Sequence, residues 1–201
     1  MISMFKRKCK ITFITHGATV HSIDGIISDT EKYPKLNDFG EDEISKVCEY
    51  LQDRAVSYDK IYTSPSARCI QSAQIIANLF KKRTTTIQLP ARKHGDWCGQ
   101  SYSELFDEYG PDIILKTPKG GESLKIFNKR VSKMIDELVE ENRGNRIIVV
   151  TTPDVVQSAI AKTLNVNDEN QFKFLIKTGS LTQISYFEGW SSIIYSDYLP
   201  L

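Results

Sequence analysis

Three times in this chain an apolar, β-branched run stops at a short turn of small polar residues, and a helix-like segment follows. The runs are KITFITHG (residues 10–17), DKIYTS leading into PSAR (59–68) and RIIVVTT leading into PD (146–154). Short apolar runs bounded by turn residues read as strands buried on both faces, the kind found in parallel sheets. Parallel strands need long crossover connections, usually helices. The intervening segments meet that need. Asp38 to Ala55 carries Ile44, Val47, Cys48 and Leu51 at helical spacing, with Asn37 or Asp38 placed to cap it. Ala67 to Phe80 offers Ile70, Ala73, Ile76, Ala77 and Phe80, and Ser123 to Glu141 offers Ile126, Val131, Ile135, Leu138 and Val139. Val155 to Leu164 is helical again. TTTIQL (84–89), SLTQISYF (180–187) and SSIIYS (191–196) read as further strands, and Pro90 to Gly121 as a loop rich in Gly, Pro and aromatic residues. The alternation predicts an α/β fold: a three-layer sandwich, its central sheet mainly parallel and its helices on both faces. The length predicts a single domain over residues 1–201.

Ligands of such sheets bind at the carboxyl ends of the strands. THG, TSPSAR and TTPD therefore become the candidate site. His16 beside Gly17 at a strand end is placed to face an anion; the plainer alternative is a scaffold histidine satisfied by backbone groups. Arg68 opens a helix, where backbone N–H groups favour an anion.

Composition removes several function classes. A net charge of +1 gives no broad surface for nucleic acid. Cys9, Cys48, Cys69 and Cys98 are scattered with no CxxC pair, which argues against a disulfide framework or zinc site and fits a cytoplasmic setting. No stretch of about 20 apolar residues predicts a membrane span. The basic start MFKRKCK reads as a solubilising terminus, and RKCK and FKKR (80–83) as exposed faces. Cys69 and Cys98 fall near the strand ends; as thiol nucleophiles they would need a base and a depressed pKa, so buried bystanders are the simpler reading.

In order along the chain, THGAT, KLNDFGEDE, TSPSARCIQSAQIIA, HGDWCGQSYSEL, PKGGES followed by Arg130, IIVVTTPDVVQSAI and KTGSLTQISYF resemble the motifs of the histidine phosphatase superfamily, in its phosphoglycerate mutase-like branch. The resemblance spans nearly the whole chain. It implies phosphoryl transfer through a phosphohistidine, a phosphate held by two arginines and two histidines, a glutamate that protonates the leaving alcohol, and no metal or other cofactor. Fixed cations stabilise the phosphoryl oxygens, the nucleophilic nitrogen must be unprotonated, and an alkoxide needs a proton to leave.

Carried over residue by residue, the resemblance makes His16 the nucleophile and Arg68 the second arginine. The first arginine is replaced by Thr15, the glutamate after His-Gly by Ala18, the acid by Ala91, the second histidine by Thr152 and the glycine after it by Pro153. Thr15 and Thr152 keep hydroxyl donors for a phosphate but no charge, and charge-assisted bonds are roughly twice as strong as neutral ones. A missing general acid forfeits ~10²–10⁴ in rate. The resemblance thus implies a phosphate-binding protein with slight or no turnover. Its expected partner is a phosphorylated small molecule or phosphoprotein, bound at His16, Arg68, Thr15 and Thr152. The alternatives are a divergent working phosphomonoesterase and an interaction module without catalysis, with a homodimer left open. Asp154 is a candidate replacement acid, because one branch of the superfamily places its acid just after the second histidine; here it lies two residues after Thr152. His94 and Asp96 are further candidates. Arg92, Lys93 and Lys119 are placed either to add charge at the mouth or simply to be solvated.

Overall fold

A computed structural model describes residues 6–29 and 34–200; Met4 and Phe5 of the basic start lie outside them. Six strands form one sheet: β1 (Arg7–Thr15), β2 (Lys60–Thr63), β3 (Thr84–Thr86), β4 (Arg146–Thr151), β5 (Leu181–Phe187) and β6 (Ser191–Tyr198). Their order is β3-β2-β4-β1-β5-β6. The first four are mutually parallel, and β5 runs antiparallel to both β1 and β6.

The period of two along β1 assigns the layers. Cys9, Ile11 and Phe13 face one core, shared with Phe127, Val131 and Ile135 of α5 (Leu124–Glu141) and Val156 and Ala159 of α6 (Pro153–Leu164). Ile14 faces the other, shared with Ile44 and Val47 of α2 (Asp38–Asp53) and Cys69, Ala73 and Ile76 of α3 (Ala67–Phe80). Strands so covered can be apolar on both sides, as RIIVVT of β4 is. Asn37 caps α2 by accepting from the Gly40 N–H at 2.8 Å.

Several sequence expectations shift. The α3 stripe is displaced by one residue: Cys69 is buried and Ile70 is 41% exposed. Ile126 falls off the apolar face of α5 and is 61% exposed, because the stripe runs Leu124, Phe127, Val131, Ile135. TTTIQL contributes three strand residues, and α6 begins at Pro153. RKCK is the start of β1, with Cys9 fully buried, whereas Lys81, Lys82 and Arg83 are exposed. The expected loop from Pro90 contains a helix, α4 (Tyr102–Tyr109), and two 3₁₀ turns, Gly95–Trp97 and Pro111–Leu115. A short α1 (Val20–Asp24) follows β1, and a 3₁₀ segment, Asp168–Lys173, follows α6. Trp97, Leu105 and Ile113 pack on Ile27 as a small third core.

Candidate active site

His16 leaves the end of β1 with its backbone pinned on both sides. Its N–H donates to Thr151 O at 3.0 Å, and its carbonyl accepts from the Gly179 N–H at 3.1 Å. The next residue must be glycine: a Cβ on Gly17 would run into the Gly40 carbonyl at the start of α2. The Gly17 N–H is held by Ser72 Oγ of α3 at 3.1 Å. The imidazole is 4% exposed. Its Nδ1 lies 2.8 Å from Gly17 O, and a carbonyl only accepts, so Nδ1 carries the proton. Arg68 Nε donates to Nε2 at 3.0 Å. The lone pair on Nε2 is thereby left unprotonated, the state a nucleophile requires. Burial, and then the Arg68 guanidinium, push the His16 pKa down to about 3 against the pull of the Gly17 carbonyl.

Arg68 is the second residue of α3 and is itself buried. It lines, with His16, a cavity of about 650 Å³ that also takes in Thr152, Pro153, Asp154 and Ala91. Thr152 caps α6 in extended conformation without using its side chain, and its Oγ1 is buried with no partner among the described residues. Pro153 sits at the first helical position, where its missing N–H would have had no helical partner in any case.

Asp154, distant from His16 in sequence, is brought to the same cavity. Its Oδ2 accepts from the Arg92 N–H at 2.7 Å and its Oδ1 from the Val155 N–H at 2.9 Å. Ala91 lies beside it, its carbonyl held by Arg130 at 2.7 Å; Arg130 also pairs with Glu122 at 2.7 Å. A carboxylate thus borders the position from which the resemblance had removed one.

Other expected residues are placed elsewhere. Thr15 is not in the cavity wall. Its hydroxyl donates to Lys177 O at 2.6 Å and accepts from the Ser180 N–H at 2.8 Å, so it braces the turn into β5. Ala18 is buried outside the cavity, its N–H held by Glu43 at 2.7 Å. Arg92 lines the cavity and is buried, not solvated; three of its five guanidinium N–H groups are committed to the carbonyls of Glu122, Ile114 and Lys116. Lys93, Asp96 and Lys119 are exposed and do not line it. His94 does, and burial lowers its pKa against the pull of Asp154. Burial pushes the Cys69 thiol up to about 11, which makes it a poor nucleophile. His21, Gln157, Gln171 and Phe172 also line the cavity, and nothing in the sequence pattern marked them.

Among the described residues no group of three or more His, Cys, Asp or Glu side chains is placed to hold a metal ion, and no helix is long and apolar enough to cross a membrane.

Comparison with known proteins completes this picture. The family model for the histidine phosphatase superfamily (branch 1) matches residues 11–195. The chain belongs to the histidine phosphatase superfamily. Among curated relatives, phosphoglycerate mutase-like protein 4 of Arabidopsis thaliana is 30% identical over 165 residues, covering 74% of this chain and 68% of its own. A broad-specificity phosphatase of Saccharomyces cerevisiae is 24% identical over 186 residues, 88% of this chain and 79% of its own. The fold is shared with the phosphoserine phosphatase of Entamoeba histolytica solved with 3-phosphoglyceric acid (TM-score 0.82, 21% identity, 94% and 97% of the two chains). It is shared too with YhfR of Bacillus stearothermophilus (TM-score 0.85, 19% identity, 95% and 98%). Both are phosphoglycerate mutase-like α/β sandwiches in the arrangement expected from the sequence.

Proposed function

We propose that this histidine phosphatase family member binds a phosphate ester at the His16–Arg68 end of its cavity and transfers the phosphoryl group slowly. The observation that carries the reading is the imidazole itself. Nδ1–H is committed to Gly17 O, and the Nε2 lone pair accepts from the cavity cation Arg68. An incoming phosphate would take the guanidinium as its partner and release the lone pair. The Nε2–P bond then forms as the P–O bond to the alcohol breaks, the departing alkoxide takes its proton from water, and a second water later cleaves Nε2–P to release inorganic phosphate. The Thr152 hydroxyl, without a partner among the described residues, supplies a neutral donor to the phosphoryl oxygens. Neutral donors stabilise the developing charge less than the cations they replace.

A second reading is favoured by one observation: Asp154 borders the cavity. Protonated, it would give the leaving oxygen its proton in place of the side chain absent at Ala91, and turnover would be ordinary.

Steady-state hydrolysis of p-nitrophenyl phosphate separates the two. The expected result is a kcat well below the usual ~1–10³ s⁻¹, lost in His16→Ala and changed less than threefold in Asp154→Asn. A kcat inside that range, lost in Asp154→Asn, establishes the second reading. Turnover unchanged in His16→Ala removes His16 from the chemistry.

A further inference from the structure

We infer that the cavity is built for the phosphate monoester of an uncharged aromatic or bulky apolar alcohol, with the amide of Gln171 reading a hydrogen-bonding group on that alcohol. The inference rests on the phosphate reading and names the class of ligand that reading leaves open.

Size is the first consideration. A volume of about 650 Å³ lies in the range of drug-sized ligand sites, and a phosphate group fills only a small part of it. Beside polar residues such as His21, His94 and Gln157, the remaining walls carry a large apolar surface from Phe127, Ile114, Phe172, Ile176 and Leu175, the last 72% exposed. A second recess of about 40 Å³ adjoins it, sharing Ile114, Tyr102 and Phe172 and reaching Trp97 and Ile113. This apolar and aromatic surface favours a ligand that carries surface of the same character, because its burial drives binding.

Charge argues the same way. The cationic side chains of the described cavity wall are Arg68, Arg92 and Lys177. Arg68 belongs to the phosphate end. Arg92 has three of its five N–H groups committed to backbone carbonyls and lies beside the Asp154 carboxylate. Lys177 is exposed to solvent, where ion pairs are weak. The wall also carries the Asp154 carboxylate, which repels a second acid group. For its carboxylate a phosphorylated sugar acid would find only the remaining N–H groups of Arg92, with the Asp154 carboxylate next to them.

Gln171 supplies the specific feature. It is 0% exposed and lines the cavity from the 3₁₀ segment after α6. Neither its Nε2 nor its Oε1 has a partner among the described residues. A buried amide left unpaired destabilises the fold, and one donor beside one acceptor matches an amide, hydroxyl or heteroaromatic edge on a ligand. Phe172, the next residue, presents a ring to the same space.

Calorimetric titration of the full chain tests this with inorganic phosphate, 3-phosphoglycerate, phenyl phosphate and 4-acetamidophenyl phosphate. Both aryl esters are expected to bind at least tenfold tighter than inorganic phosphate, the acetamido ester tightest, and 3-phosphoglycerate no tighter than inorganic phosphate. Phe172→Ala should remove most of the aryl gain. Gln171→Leu should erase the preference for the acetamido ester over phenyl phosphate. Circular dichroism, with inorganic phosphate binding unchanged, reports that the variants remain folded. Tighter binding of 3-phosphoglycerate than of the aryl esters, or aryl preferences unchanged in both variants, overturns the subsite while leaving the phosphate reading intact. No binding by inorganic phosphate or any ester overturns the phosphate reading itself.

Discussion

The ends of β1 and β4 meet at one cavity but carry different amounts of chemistry. At β1, His16 has its backbone tied to β4 and to the turn before β5, and its ring committed through both nitrogens. At β4, Thr152 offers a hydroxyl without a partner among the described residues, and Pro153 follows it into α6. The backbone at the second end is nonetheless regular, because an extended cap followed by proline at the first helical position is a favourable helix start. One strand end can therefore carry a neutral hydroxyl where the other carries a histidine paired with an arginine, with regular backbone at both. Fold and chemistry are separable here because backbone hydrogen bonds and buried apolar residues set the fold, while single side chains set the chemistry.

The largest effect should come from rebuilding the poorer end. The triple change Ala91→Glu, Thr152→His, Pro153→Gly is expected to raise phosphatase kcat by ~10²-fold or more, with each single change doing little, since such groups act as a unit. Steady-state rates across the series give the answer; a triple variant that stays folded by circular dichroism and is no faster than the parent contradicts it. Thr15→Arg does not belong in that set. Its position is taken by bonds to Lys177 and Ser180, so an arginine there should lower the melting temperature without raising the rate.

The richer end should tolerate far less. Gly17→Ala puts a methyl group against the Gly40 carbonyl and is expected to cost about 1–3 kcal/mol in urea unfolding. A change under 0.5 kcal/mol would mean the α2 contact yields freely. Acid should also act here. The folded His16 pKa is about 3 and the unfolded value about 6.5, so the unfolded chain takes up its proton first as pH falls. Stability is full above about pH 6.5 and is lost progressively toward pH 3. Relative to His16→Asn, the parent should lose about 2 kcal/mol between pH 7 and pH 5. Parallel curves for the two proteins would show that the imidazole is not held neutral.

The smallest effect belongs to Thr152. Replacing its unpartnered hydroxyl by the methyl of Thr152→Val should stabilise the anion-free protein by about 1 kcal/mol. It should also shrink the rise in melting temperature that phosphate produces. A variant less stable than the parent would mean the hydroxyl already has a partner.

Much of this was legible in the sequence because the relevant signals are local. The strand runs, the helix spacings and the Asn37 cap all act within a few residues. The signals that failed are of two kinds. Some were present and unread: Ser101 and Glu104 form a capping box at the start of α4, and a proline at the start of a helix puts Asp154 one residue further in. Others were not local at all. Thr15 is diverted by Lys177 and Ser180, more than 160 residues away, and Arg92 by carbonyls that only the folded loop assembles. Gln171 lies in the polar run DENQFK, which by composition is a solvated surface; only the packing of that segment on α6 turns it into a cavity wall.

The phosphate end itself is tested most directly by titrating inorganic phosphate into the parent and into Arg68→Ala. The parent should bind, and Arg68→Ala should lose at least tenfold in affinity while keeping its fold by circular dichroism. Equal affinity in the two proteins, or no binding by the parent, would contradict the assignment of the His16–Arg68 pair as the phosphate site.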